Sequence, residues 1–176
     1  ITNHSILFYN LFGNYCNYHI NRQTQLTDIE VENYREDLFT QLRSSLSKES
    51  KFIFSGEDLC SLSSSQLNDL KLFLREYSID DIEIVIYVRD PVLFAISNLQ
   101  ENIKSGDTFD SALDKVWSLG GSFVRDTISK FVDLFGEGSV SVLSYDDEID
   151  EFGSIINSFY LRGLSIDEKN HKDIRK

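Results

Sequence analysis

Between residues 3 and 12, Ile6, Leu7, Tyr9 and Leu11 precede Gly13, a pattern that predicts a short helix closed by a glycine. Residues 14–25 mix polar and aromatic side chains without a clear period and are expected to form an irregular connection. From Asp28 onward Val31, Tyr34, Leu38, Leu42 and Leu46 recur every three or four positions, which predicts an amphipathic helix with a charged outer face. Residues 51–55 (KFIFS) form a short apolar run before Gly56 and predict a buried strand. Ser63 followed by Gln66 is a capping-box pattern, and Leu67, Leu70, Leu74 and Tyr77 continue it as a helical stripe.

The strongest strand pattern is residues 81–88 (DIEIVIYV). Being apolar on both faces from Ile84, this strand is expected to be central and parallel, flanked by strands at Phe52 and Val140. Asp90-Pro91 then supplies an N-cap and a proline at the first helical position, and predicts a helix with Val92, Ile96, Leu99 and Ile103 facing inward. Two more helices are expected around 111–119 and 122–135, the second with Phe123, Thr127, Phe131 and Leu134 on one face and Gly136 at its end. Residues 139–145 (SVSVLSY) alternate as a strand, and Phe152, Ile155, Ile156 and Phe159 mark a last helix ending near Gly163. Strands alternating with helices imply right-handed crossovers, so the expected class is α/β, a three-layer fold with a mainly parallel sheet and helices on both faces.

A chain of 176 residues suits one domain, and its 41% hydrophobic and 26% charged content lies within ordinary globular limits. No apolar run approaches the roughly 20 residues of a membrane helix, and residues 1–20 lack the basic and apolar regions of a signal peptide. The formal charge of −12 argues against a broad nucleic-acid or anionic-membrane surface, since both demand a clustered positive field. A small anion is still open to the chain, because one arginine beside a helix N-terminus can hold a phosphate locally. Cys16 and Cys60 form no C-x-x-C pair and are too few for a disulfide scaffold; buried thiols in a reducing, cytoplasmic compartment are expected. The chain opens at Ile1 and has no methionine, so an upstream segment is expected.

In open α/β sheets ligands sit beyond the carboxyl ends of the strands, which directs attention to Ser55-Gly56-Glu57, Arg89-Asp90-Pro91 and Tyr145-Asp146-Asp147. Arg89 is a lone cation between an apolar strand and a helix start, where amides and dipole favour an anion. Its guanidinium can take a phosphate bidentately, which a lysine cannot. Ser97 follows eight residues later, and its hydroxyl can bind a second oxygen of the same anion.

The stretch Tyr87-Val88-Arg89-Asp90-Pro91, then Ser97, then Lys104-Ser105-Gly106, resembles the 3′-phosphate-binding segment of sulfotransferases that use 3′-phosphoadenosine 5′-phosphosulfate (PAPS). Bacterial members of that family also resemble this chain at Ser55-Gly56-Glu57-Asp58-Leu59, Phe135-Gly136, Tyr145-Asp146 and Leu161-Arg162-Gly163-Leu164, so the likeness spans residues 3–164. Only the Arg89 and Ser97 portion is specific. The resemblance implies a P-loop NTP hydrolase-like fold of the sulfotransferase type, with Arg89 and Ser97 on the 3′-phosphate of PAPS. It implies transfer of a sulfuryl group to a hydroxyl of a carbohydrate or small-metabolite acceptor. The family's first strand and its Lys-x-Gly-Thr-Thr type loop, which cradles the 5′-phosphosulfate, have no counterpart in these 176 residues; truncation is the expected reason. If that loop is naturally lost, the expectation shifts to a non-catalytic nucleotide-binding or interaction module.

Such a transfer needs a base for the acceptor proton, and the candidates are Glu57, just past a predicted strand, and His4, near the predicted first helix. His19 and His171 have no partners at metal-ligand spacing, and Asp146-Asp147-Glu148 reads as a solvated turn, so no metal is expected. The basic stretch 169–176 reads as a frayed tail. A nucleoside or sugar kinase is disfavoured because no Asp-rich magnesium strand is evident.

Overall fold

A computed structural model of the chain describes residues 3–49, 51–118 and 122–164, and divides into two compact units, Ile1–Ile82 and Glu83–Lys176. In the first unit, helix starts follow from local chemistry. Thr27 accepts the Glu30 N–H while the Glu30 carboxylate takes the Thr27 N–H, a reciprocal box that opens a 19-residue helix, α3 (Asp28–Leu46). The Thr27 N–H and, at 2.7 Å, the Thr27 hydroxyl both donate to Glu30 Oε2, and these two bonds hold the Glu30 carboxyl below its ordinary range. Ser63 and Gln66 make the same box for α4 (Ser64–Arg75). Replacing Ser63 with alanine leaves the Gln66 N–H without that acceptor and should destabilise the protein by about 1 kcal/mol in urea unfolding.

Ahead of these helices stand α1 (Ser5–Phe12) and a short α2 (His19–Gln23), joined through a 3₁₀ turn at Tyr15–Asn17. The core of the unit gathers Phe8 and Leu11 of α1, Leu38, Leu42 and Leu46 of α3, and Leu70, Phe73 and Leu74 of α4. Stretch 14–25, expected to be irregular, is organised by polar groups that a hydrophobic count passes over. Asn21 is buried and donates to the Asn10 side chain at 2.6 Å and to the Tyr15 carbonyl at 2.9 Å. Tyr18, also buried, donates its hydroxyl to Asp58 Oδ2 at 2.7 Å.

Burial, and then the bond to Asp58, raise the Tyr18 hydroxyl well above its ordinary range. The folded chain therefore holds this proton at a pH where the unfolded chain, ionising near 10, has lost it. Stability from this group is present below about pH 10 and is lost as pH rises toward the folded value, by up to roughly 1.4 kcal/mol per pH unit. Unfolding titrations between pH 9 and 12 should show a shallower decline for Tyr18→Phe than for the native chain.

Residues 51–55 form neither a helix nor a strand. Phe52 and Phe54 stack on one another at 5.9 Å and pack on the helical core, while Ile53 is exposed. The alternation expected of a strand is present; the ladder is not. Gly56 follows where the chain passes so close to α1 that a Cβ would lie 2.7 Å from the Ser5 nitrogen.

In the second unit, β1 (Ile84–Val88) pairs in parallel with β2 (Val140–Ser144), Ile84 opposite Val140 and Val88 opposite Ser144. Between them come α5 (Pro91–Lys104), α6 (Phe109–Ser118) and α7 (Phe123–Phe135). After β2 the chain turns directly into α8 (Tyr145–Phe152), whose first-turn acids Asp146, Asp147 and Glu148 suit the positive end of the helix. Gly153, at φ 72°, breaks the helix expected to run on, and a short α9 (Ile155–Ser158) and a π-helical turn (Phe159–Gly163) follow.

The expected three-layer α/β fold with a P-loop-like parallel sheet does not form. The described residues are mostly helical, and their only strands are β1 and β2, of five residues each. The parallel pairing of 84–88 with 140–144 is as expected, but a flanking strand at Phe52 and a double-faced cover are not present. Every residue of β1 is only half-buried, and Val92, Ile96 and Ile103 of α5, expected to face inward, are exposed. The physical reason is that an apolar run specifies an extended segment and not its neighbours. A sheet needs ladder partners, and in residues 51–55 the aromatic side chains find a helical core instead. Cys16, expected to be buried, is exposed, and neither it nor Cys60 forms a disulfide. Among the described residues no helix is long and apolar enough to cross a membrane.

Candidate functional site

β1 passes into α5 through two residues, Arg89 and Asp90. Asp90 caps α5, its Oδ1 accepting the N–H groups of Val92 at 2.9 Å and Leu93 at 3.0 Å, with Pro91 pre-set for the first helical position. The helix N-terminus that was expected to attract an anion is thus already faced by a carboxylate. Arg89 is exposed at the carboxyl end of β1, and its guanidinium carbon lies 4.9 Å from the centre of the Tyr145 ring. Tyr145 is the residue that follows β2, so the two meet because β1 and β2 run parallel and end together. Among the described residues Arg89 makes no ion pair, and a guanidinium resting on an aromatic face keeps its N–H edge available for an oxyanion. Ser97 is exposed on α5.

The end of β1 is anchored from below by a polar chain. The Tyr87 hydroxyl lies 3.0 Å from Ser158 Oγ, which donates to Glu148 Oε2 at 2.5 Å. Glu148 is buried and pairs with Arg162 Nε at 3.1 Å, while the same guanidinium reaches Glu151 at 2.6 Å. Arg162 therefore covers a charge that would be costly to bury alone. The arrangement ties α8, α9 and the π-helical turn to the strand two residues before Arg89.

The candidates for a base lie in the first unit. His4 is half-buried, its N–H donates to the Ser55 carbonyl at 2.6 Å, and its Nδ1 is 3.2 Å from the Ser55 N–H. The ring also meets Phe54 edge-on at 5.7 Å. His4 thus clamps the start of α1 to residue 55. Glu57 is exposed and opens a 3₁₀ turn, Glu57–Ser61. The structure brings His4 to the loop that carries Glu57; in the other unit Arg89 precedes α5 and Ser97 lies midway along it.

The contact of Arg89 with Tyr145 and the Tyr87 anchor were not anticipated. The first had a signal, since both residues follow strands expected to be parallel neighbours; the second had none, because Ser158 read as an ordinary helix residue and Glu148 as part of a solvated turn, whereas Glu148 is buried in α8. His171 and the basic stretch 169–176 lie outside the described residues. Among the described residues no three His, Cys, Asp or Glu side chains gather as a metal site. Comparison with protein-family models, with curated proteins and with solved structures found no match to this chain.

Proposed function

We propose that this chain carries the 3′-phosphate-binding part of a cytoplasmic PAPS-dependent sulfotransferase, with Arg89 and Ser97 holding the nucleotide's 3′-phosphate. The observation that supports this most is the exposed Arg89 guanidinium at the carboxyl end of a parallel strand pair, set on the Tyr145 ring with its N–H edge open to an oxyanion. The reading rests on that local junction and on the spacing to Ser97, not on a large sheet.

In the reaction, an acceptor hydroxyl oxygen of a carbohydrate or small metabolite attacks sulfur as the bond from sulfur to the phosphate oxygen breaks. Adenosine 3′,5′-bisphosphate leaves, and the acceptor proton passes to a base. Of the two candidates for a base, Glu57 is exposed while the His4 ring is engaged with the Ser55 backbone. The test is calorimetric titration of the chain with adenosine 3′,5′-bisphosphate and with adenosine 5′-monophosphate. Clear preference for the bisphosphate is expected, and equal affinities overturn the reading.

A second reading, a non-catalytic interaction module, is favoured by Asp90. Its carboxylate already occupies the α5 amides and repels an incoming anion, so a chain kept for protein contacts would show no bisphosphate preference in the same titration.

A further inference from the structure

A cavity of about 160 Å³ in the first unit is lined by Tyr9, Asn17, Tyr18, His19, Asp58 and Ser61. The lining holds one carboxylate and no lysine or arginine, and Asp58 makes no ion pair among the described residues. Its Oδ2 receives the Tyr18 hydroxyl, and its N–H is taken by Ser5 Oγ at 3.0 Å, which fixes the residue in place. A carboxylate offers about four acceptor positions, and the Tyr18 phenol fills one. A half-buried negative charge with one neutral donor attracts a cation and repels phosphate or sulfate. This is the reverse of what Arg89 offers, so the site is separate from the nucleotide reading and does not rest on it.

The shape and chemistry select among cations. A hard divalent ion wants about six or more oxygen ligands, and the lining supplies one carboxylate. A quaternary ammonium wants open aromatic faces around it. Here Tyr9 and Tyr18 stack on each other at 4.5 Å, and His19 meets Tyr18 edge-on at 4.8 Å, so faces that would form a cage are turned to one another. A primary ammonium has three N–H donors, and the lining residues Asp58, Asn17 and Ser61 each carry a side-chain oxygen that can accept one. The cavity is open to solvent, and at about 30 Å³ per water its volume equals roughly five waters, room for the amine end of a small molecule.

We propose that this cavity binds the protonated primary amine of a small metabolite, with Asp58 as its counter-charge and Asn17 and Ser61 as neutral acceptors. Tyr18 is a positioning residue, its hydroxyl holding the carboxylate toward the ligand. The probe is ethanolamine, titrated calorimetrically into the chain near neutral pH at low salt. Ethylene glycol, which lacks the charge, and tetramethylammonium, which lacks the N–H donors, serve as controls.

Saturable ethanolamine binding is expected, at least about tenfold tighter than either control. Asp58→Asn keeps an acceptor for Tyr18 while removing the charge, and should lose about tenfold or more. Should that variant unfold by circular dichroism, Asn17→Ala, a change at an exposed residue, should lose about threefold or more in a folded chain. Failure of ethanolamine to saturate overturns the proposal, as does equal binding of either control. Undiminished binding by Asp58→Asn, or by Asn17→Ala where that variant is the one tested, overturns it as well.

Discussion

Replacing Phe8 with alanine should lower stability by about 3 to 5 kcal/mol, a large share of the roughly 5 to 15 that a domain possesses. Phe8 is 1% exposed, and its ring meets Phe54 edge-on at 4.8 Å and stacks with Phe12 at 6.4 Å. Truncation removes the Phe8 contact with Phe54, leaving only the His4 clamp at the start of α1 among the contacts described to 51–55, and opens a cavity, because aromatic neighbours held by their own backbones relax only in part. Far-UV circular dichroism in urea is the suitable probe, since the one tryptophan, Trp117, lies in the second unit and is 75% exposed. A loss under about 1 kcal/mol would mean that the core collapses around the gap, and that Phe52 and Phe54 are held by something other than α1.

That same segment marks where sequence reasoning stops. The capping pairs Ser63 with Gln66 and Asp90 with Pro91 were legible because a cap is a contract among neighbours three residues apart or fewer. The stripe Leu38, Leu42, Leu46 was legible because one buried face imposes a period. Whether 51–55 becomes a strand depends on what lies beside it, and Phe52 and Phe54 would alternate inward in either case. The buried amides Asn10 and Asn21 satisfy one another, so they carry no apolar signal at all. Tyr145 was expected to end a strand, yet Ser144 accepts the Asp147 N–H at 3.4 Å and the acids that follow start α8 there.

The candidate site divides along the same line. Arg89 could be placed at a strand end from its neighbours alone, but the role of His4 could not, because its partner Ser55 is 51 residues away. Asp90 was recognised as a cap, and the structure adds that one of its carboxylate oxygens lies on two amides of α5. In the nucleotide reading the 3′-phosphate would therefore depend mainly on Arg89.

If the nucleotide reading holds, Arg89→Ala should weaken adenosine 3′,5′-bisphosphate binding by about ten- to a hundredfold, the worth of charge-assisted hydrogen bonds at roughly 1.5 to 3 kcal/mol. Adenosine 5′-monophosphate should bind the variant nearly as it binds the native chain, because it lacks the 3′-phosphate. Asp90 sharpens this expectation: with its carboxylate on the Val92 and Leu93 N–H groups, those amides offer the phosphate little when the guanidinium is gone. Arg89→Lys should recover only part of the loss, since an ammonium carries the charge but not the planar fork. Ser97→Ala should cost less, about 0.5 to 1.5 kcal/mol, as the loss of one neutral hydroxyl. Calorimetric titration of each variant with both nucleotides measures all of these. If the native chain prefers the bisphosphate and Arg89→Ala loses nothing, the 3′-phosphate is held elsewhere, and the guanidinium on Tyr145 serves only to join the ends of β1 and β2.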